Sequence, residues 1–273
     1  MTAQNSLSAS SFQTSRLVQA LGAAACRFDV DTLAECDSTN TQLLARAEAG
    51  APSGTVLVAD RQTAGRGRRG RTWFAAPGDS LTVSLLWRFP QESTAPGGLS
   101  LAVGLALARG LSSLGISGVS LKWPNDLLLQ GRKLGGVLVE LQPGQLRSAI
   151  IGIGLNLHLP DSLPTDVRQE AAALDQTGQA YAREPVLAAL LTALQRTLDE
   201  YAVSGFPALR DDWMAHHAHQ GQAVRISGGT ELEGRCLGVD GDGALLVHTD
   251  QGLQTVVSGD VSLRLLVSGT TAP

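Results

Sequence analysis

Three short apolar stretches crowd the middle of the chain: "VSLKW" from Val119, "LGGVLVEL" from Leu134 and "SAIIGIGLNL" from Ser148. Runs of this length bounded by turn residues read as strands. Several are linked by short turns, and strands joined that way pair antiparallel, because a parallel return needs a crossover of a dozen or more residues. The chain is thereby held to a mixed or antiparallel sheet with helices packed on one side, an α+β arrangement.

The flanking segments supply those helices and further strands. "DSTNTQLLARAEAG" reads as a capped helix, with Asp37 or Ser38 before the first turn, an apolar stripe at Leu43, Leu44 and Ala47, and Gly50 as the stop. "GTVLVAD" reads as a strand ending near Asp60, and "SLTVSLLWRF" alternates Leu81, Val83, Leu85 and Trp87 against Thr82, Ser84 and Arg88, the pattern of a half-buried strand. A helix from Leu99 to about Leu114 is apolar nearly all round and should lie deep. A longer one runs from Pro185 to near Gly205, followed by a helical segment in "FPALRDDWMAHHA". From about Gly221 short strands alternate with glycine turns, the texture of a small antiparallel barrel or meander. The expected division is a disordered leader over 1–13, a main domain over 14–219, a small β-barrel domain over 220–268 and a tail over 269–273.

Composition bears on the class of partner. With 273 residues and 43% hydrophobic content, the chain can bury a substantial core. Cys26, Cys36 and Cys236 form no CxxC pair and leave an odd count, so neither a disulfide framework nor a zinc site is indicated and a reducing cytoplasm fits. The polar N-terminus lacks the apolar core of a secretory signal, and the longest apolar run, from Leu99, is too interrupted to span a bilayer. His216, His217 and His219 read as a solvated helix end, since no carboxylate or cysteine completes a metal set. Net charge is -4, which argues against general affinity for a nucleic-acid backbone. "AGRGRRGRTW", from Ala64 to Trp73, is therefore a local concentration of cations in an acidic chain. Its glycines let backbone N–H groups converge on an oxyanion, and its arginines add forked donors matched to phosphate or carboxylate.

Five other segments accompany this loop: "DSTN" at Asp37, "DRQTAG" at Asp60, "KWPND" at Lys122, "GRKLGG" at Gly131 and "GIGLN" at Gly152. The ordered set, from Asp37 to Asn156, resembles the biotin protein ligases, also called biotin–acetyl-CoA-carboxylase ligases, and the tail is similar to their small C-terminal domain. The resemblance implies a catalytic domain like that of class II aminoacyl-tRNA synthetases with an SH3-like barrel behind it. It implies a two-step reaction: biotin and ATP, with its Mg2+, give biotinyl-5'-AMP and pyrophosphate, and a lysine of a biotin carboxyl carrier protein then takes the biotinyl group.

The family roles carry onto matching positions. Gly65, Arg66, Gly67, Arg68 and Arg69 would close over biotin and the adenylate and keep water from a labile mixed anhydride, with Trp73 as the packed anchor of the loop. Lys133 would contact the biotin carboxylate and the adenylate phosphate. Ser38, Thr39, Asn40 and Gln62 would face the ureido ring, which suits neutral hydroxyls and amides, although Ser38 could equally cap its helix. Lys122 and Asn125 would hold adenylate or phosphate groups, and Asp126 would orient or deprotonate the acceptor lysine, its alternative being a turn cap after Pro124. Gly136, Gly152 and Gly154 would clear space, and Asn156 closes the last motif. Arg68, Lys133 and Asp126 form the expected catalytic set, with no metal held by the protein itself.

Only about 36 residues precede "DSTN", so the expectation is a form without the family's N-terminal DNA-binding domain, with neither DNA nor a membrane as partner. By resemblance a homodimer is also expected. Two rival readings stand beside this one: a lipoate or octanoate ligase of related fold, for which the ureido-reading set would have no purpose, and an RG-loop nucleic-acid-binding module.

Overall fold

In the computed structural model, residues 11–266 are described, apart from 75, 92, 94–96, 162, 229–230 and 260. The expected tail over 269–273 and the first ten residues of the expected leader lie outside them. The next three residues are docked. Phe12 is buried, the Ser11 amide donates to Asp60 Oδ2 at 2.6 Å, and the Gln13 amide donates to Glu184 Oε1 at 2.9 Å. The order expected from residue 14 thus begins at Ser11.

In chain order, helix α1 (Thr14–Leu21) and strand β1 (Asp29–Cys36) precede helix α2 (Thr39–Glu48), β2 (Thr55–Gln62) and β3 (Ser80–Arg88). Helix α3 (Leu99–Ser113) then leads to β4 (Val119–Lys122), β5 (Asp126–Leu129), β6 (Arg132–Gln142) and β7 (Gln145–Asn156). These seven strands form one sheet in the order β1-β2-β3-β7-β6-β5-β4. β1 and β2 are parallel, with α2 as their crossover, and the other neighbours are antiparallel. The sheet is mixed, as the spacing requires. Sequence reading overlooked α1, β1 and β5, the last because "DLLL" is a four-residue apolar run with no alternation.

Helices cover both faces, which corrects the expectation of one. On one face, α1, α3 and α5 (Arg183–Ser204) pack on Val56, Val58, Leu81, Val83, Leu85 and Trp87. On the other, Leu43 and Ala47 of α2 pack on Leu86 and Ile150. β3 is consequently buried on both sides rather than half-buried. Two of its hydroxyls imitate a solvent face because they are satisfied internally: Thr82 donates to the Ala59 carbonyl at 2.6 Å, and Ser84 donates to Asn40 Oδ1 at 2.6 Å.

Short α4 (Thr165–Glu170) precedes α5, and α6 (Arg210–Ala215) follows it. The 216–218 segment then lies along β4. The Leu121 amide donates to the His216 carbonyl at 2.8 Å and the Ala218 amide to the Leu121 carbonyl at 2.9 Å, which protects that edge of the sheet. His217 and His219 are buried there, contrary to the solvated helix end expected of them. The His217 ring stacks 4.7 Å from Trp213, with Nε2 3.3 Å from Cys236 Sγ, so an aromatic cluster absorbs it.

A second sheet comprises β8 (Ala223–Ser227), β9 (Leu232–Val239), β10 (Leu245–Thr249), β11 (Gly252–Val256) and β12 (Ser262–Leu265). It is antiparallel in the order β11-β10-β9-β8-β12, and among the described residues its two end strands do not pair to close a barrel. Val224, Ile226, Cys236, Val239, Leu245, Val247 and Leu263 join the same apolar core as the main sheet. Buried Trp123 donates its indole N–H to the Gly243 carbonyl at 3.0 Å across the junction.

Candidate active site

A cavity of about 520 Å³ lies between the main sheet and the second sheet, within the usual size range of small-molecule sites. Three groups of residues build its wall.

The first is neutral and lies at the start of α2. Ser38, Thr39 and Asn40 are buried and line the cavity with Gln62. Ser38 stands at the cap position but its hydroxyl caps nothing. Asp37 takes that place instead, accepting from the Ser38 amide at 2.6 Å and from Gln42 Nε2 at 2.9 Å. Those bonds, the Gln42 one foremost, hold the Asp37 carboxyl below the usual range. Gln62 Oε1 accepts from the Thr39 amide at 2.7 Å, while the Ser84 and Thr39 hydroxyls lie 2.8 Å apart. Asn40 Nδ2 donates to the Leu138 carbonyl at 3.2 Å and to Glu140 Oε2 at 2.7 Å. Asn40 fits only because Gly152 lies beneath it: a Cβ there would stand 2.4 Å from Asn40 Oδ1.

The second group is the arginine loop, a tight hairpin. The Trp73 amide donates to the Gly65 carbonyl at 3.0 Å and the Gly67 amide to the Arg71 carbonyl at 2.7 Å. Its tip turns through Arg69 at φ 60° and Gly70 at φ 67°, and a left-handed arginine is a strain of the kind found at functional sites. Arg66 pairs with Glu140 Oε2 at 3.1 Å and reaches Thr41 Oγ1 at 3.2 Å. Arg68 reaches across to the second sheet, donating to the Gly259 carbonyl at 2.5 Å. Arg66, Gly67, Arg68, Arg69 and Trp73 line the cavity. Gly65 does not; it is buried at the root of the loop, where a Cβ would meet the Trp73 carbonyl at 2.9 Å. Trp73 is indeed packed: its ring covers Gly154, where a Cβ would stand 2.5 Å from Trp73 Cε2. Its indole N–H is buried without a hydrogen-bond partner among the described residues.

The third group is ionic. Lys133 Nζ lies 2.6 Å from Asp126 Oδ1 and 5.9 Å from the Trp73 ring centre. A break in the β5–β6 register makes the ion pair feasible: Asp126 faces Gly136 and Leu127 faces Gly135, but Leu128 faces Lys133, leaving Leu134 as an extra residue. In a regular strand Lys133 and Gly136 would point to opposite faces; the bulge returns Lys133 to the face of Asp126. A Cβ at Gly136 would be 3.4 Å from Asp126 Oδ1 and 3.5 Å from Lys133 Nζ, ordinary contacts, so the pair does not depend on a glycine there. Lys122 sits opposite Asp126 on β4, and burial pushes its ammonium down while Asp126 pulls it up and Lys133 and Arg264 push it further down.

Asn125 lines this end, yet its amide is engaged in the backbone, donating to the Val137 carbonyl at 2.8 Å. Asn156 does not line the cavity; it donates to the Ala172 carbonyl at 3.0 Å, and the Ala172 amide donates to the Lys133 carbonyl at 2.7 Å, so it secures the strip behind Lys133. Gly152 and Gly154 line the cavity and leave room for Asn40 and Trp73. His219, Arg264, Arg71 and Trp123 also line the cavity. None was singled out for it from sequence: nothing local marks His219 or Arg264, in the strip leading to the second sheet and in that sheet, as facing β4, whereas Arg71 and Trp123 lie inside the arginine loop and the "KWPND" motif. His219 is buried, and burial, then Lys122 and His217, bring its imidazole down to about 4. Among the described residues, no group of three or more His, Cys, Asp or Glu side chains is arranged to hold a metal ion.

One end of the cavity thus offers neutral donors and acceptors, and the other offers guanidinium and ammonium groups that outnumber the carboxylates of Asp126 and Glu170. That combination suits a molecule with a neutral hydrogen-bonding head joined to phosphate or carboxylate.

Comparison with known proteins agrees with this geometry. Residues 33–156 match the Biotin/lipoate A/B protein ligase family, and residues 219–264 match the biotin protein ligase C-terminal domain. The chain is 36% identical over 254 residues to the biotin--[acetyl-CoA-carboxylase] ligase of Mycobacterium tuberculosis, covering 89% of this chain and 92% of that one. It is 37% identical over 238 residues to the bifunctional ligase/repressor BirA of Escherichia coli, covering 86% of this chain and 74% of that one. A structure of the biotin protein ligase from Aquifex aeolicus in complex with biotin and ATP superposes with a TM-score of 0.78 at 33% identity, over 87% of this chain and 99% of that one. Motifs, site and relatives agree: this chain belongs to the biotin protein ligase family.

Proposed function

We propose that the cavity activates biotin with ATP and passes it to a lysine of a biotin carboxyl carrier protein. In the first step a biotin carboxylate oxygen bonds to the α-phosphorus of ATP, the bond to the β-phosphate oxygen breaks, and pyrophosphate leaves. Two anions must meet for this, so cations are needed to offset their repulsion and the charge developing on pyrophosphate. Arg66, Arg68, Arg69, Lys122 and Lys133 supply them, and Ser38, Thr39, Asn40 and Gln62 receive the ureido ring. Mg2+ arrives on the phosphates of ATP.

In the second step the carrier lysine attacks the biotinyl carbonyl and AMP leaves. Its amine, with an ordinary pKa near 10.4, is neutral in about one molecule in a thousand near pH 7.4, a handicap of about 4 kcal/mol. Asp126 faces that approach with its carboxylate already engaged by Lys133 at 2.6 Å, which favours orienting the incoming amine over removing its proton.

The observation that carries this reading is the single cavity with a neutral end at α2 and a cationic end at Lys133. The same reading extends to a class II synthetase-like catalytic domain over 14–219, an SH3-like unit over 220–268, a homodimer and a cytoplasmic setting. No helix among the described residues is long and apolar enough to cross a membrane.

The test is biotin-dependent exchange of labelled pyrophosphate into ATP. Wild type is expected to exchange with biotin and not with lipoate or octanoate. Arg68→Ala is expected to lose exchange severely or to leak free adenylate. A wild-type protein inert with biotin, yet retained on nucleic acid in a salt-dependent way, would overturn the assignment in favour of a binding module.

A further inference from the structure

Glu140 lies outside every motif that marks the site and does not line the cavity, yet one of its oxygens joins the two halves of it. On β6 it faces Ile150 of β7, on the side of the sheet covered by α2. Its Oε2 accepts from Asn40 Nδ2 at 2.7 Å and from Arg66 Nη2 at 3.1 Å. Asn40 belongs to the neutral end, where its Oδ1 accepts from Ser84 and its position is held over Gly152. Arg66 is the first arginine of the cationic loop, and it also donates to the Thr41 hydroxyl, one residue along α2 from Asn40. Continuous hydrogen bonding therefore runs from Gln62, at the root of the loop, through the amide of Thr39 and then its hydroxyl to Ser84, Asn40 and Glu140, and so to Arg66 on the loop itself. Bonds sharing an ionised acceptor reinforce or weaken one another.

We propose that Glu140 is a positioning residue that transmits occupancy of the neutral end to the arginine loop, by holding Asn40 and Arg66 on the same carboxylate oxygen. A head group that fixes the Asn40 amide fixes the shared oxygen and with it the guanidinium of Arg66. This deepens the biotin-ligase reading and rests on it.

Trypsin, which cuts after arginine, reads the order of the loop directly. In wild type, saturating biotin is expected to slow cleavage between Arg66 and Arg71. Glu140→Gln keeps an oxygen for Asn40 and removes the charge that holds Arg66. In that variant, the cleavage rate at saturating biotin is expected to rise about tenfold, and the Kd for biotin to weaken by about the same factor, because coupling between two sites is reciprocal. Glu140→Asp, which retains the charge, is expected to recover part of the protection. A Glu140→Gln loop that biotin protects as in wild type would overturn the proposal. So would full additivity of Glu140→Gln and Arg66→Gln in kcat/KM, because side chains acting through one contact are not additive. Should Glu140→Gln fail to fold, Glu140→Asp and Arg66→Gln carry the same comparison. Pyrophosphate exchange by wild type is measured alongside; its absence sinks the functional reading, whereas its presence with an unaltered Glu140→Gln loop sinks only the role of Glu140.

Discussion

Replacing Gly152 by alanine tests how the neutral end of the site is held. The added Cβ would stand 2.4 Å from Asn40 Oδ1, 2.9 Å from its Cγ and 3.0 Å from its Nδ2, so the amide must retreat by roughly 1 Å to reach ordinary contact distance. It cannot do so and keep its bonds to Ser84 at 2.6 Å, Glu140 at 2.7 Å and the Leu138 carbonyl at 3.2 Å. Neutral hydrogen bonds contribute about 1 kcal/mol each and those to a charged group about 1.5–3. Partial relaxation of the backbone leaves a net cost of roughly 2–3 kcal/mol. On a chain of this size that corresponds to a thermal midpoint lower by about 5–10 °C. The displaced amide no longer meets the head group, so KM for biotin in pyrophosphate exchange should rise roughly 10- to 100-fold, at 1.4 kcal/mol per decade. KM for ATP should rise by a smaller factor, because the displaced amide reaches the cationic end only through the Glu140 oxygen it shares with Arg66. Calorimetry and exchange kinetics on the same preparation decide it. A Gly152→Ala protein with wild-type midpoint and wild-type biotin KM would refute the reasoning.

Two further outcomes are expected. Gly104 of α3 faces only Leu121 Cδ2 at 3.6 Å, an ordinary contact, so Gly104→Ala should stabilise the protein by about 0.5–1 kcal/mol, measurable as a shift in urea midpoint with unchanged exchange kinetics. His219 should make stability depend on pH: its folded imidazole titrates at about 4 against an unfolded value near 6.5, so between those values the unfolded chain binds the extra proton. Its contribution is present above pH 6.5 and is lost as pH falls towards 4, an effect on the order of 3 kcal/mol. Urea melts at pH 7.5 and pH 4.5 should show His219→Leu losing less stability than wild type over that interval, and equal losses would contradict the assignment.

How much could be read from sequence varies with the physics involved. Strand pairing in the main sheet follows from short connections, which are local, and the cationic loop is legible because its charge contrasts with the acidic chain around it. β3 misled for a physical reason: Thr82 and Ser84 look like a wet face, yet bond to Ala59 and Asn40 in the interior. His217 and His219 misled likewise, since only the return of the chain along β4 buries them. Asn156, close to the site in sequence, supports Lys133 through the Ala172 backbone and does not face the cavity. Arg264 and Glu140 reach the site through contacts far apart in the chain, which no local pattern encodes.

The extra residue in β6 has a consequence for counting. Lys133 meets Asp126 because Leu134 is accommodated without a partner on β5. The side on which the ammonium emerges is therefore a matter of parity: the separation of Lys133 from Gly136 would turn the lysine away, and the bulge takes Leu134 out of the count. Deleting Leu134 would empty a buried core position yet leave the lysine on the side of Asp126 in an unbroken strand. Ironing out the bulge at unchanged length would instead turn the lysine to the far side of the sheet, with every charge retained.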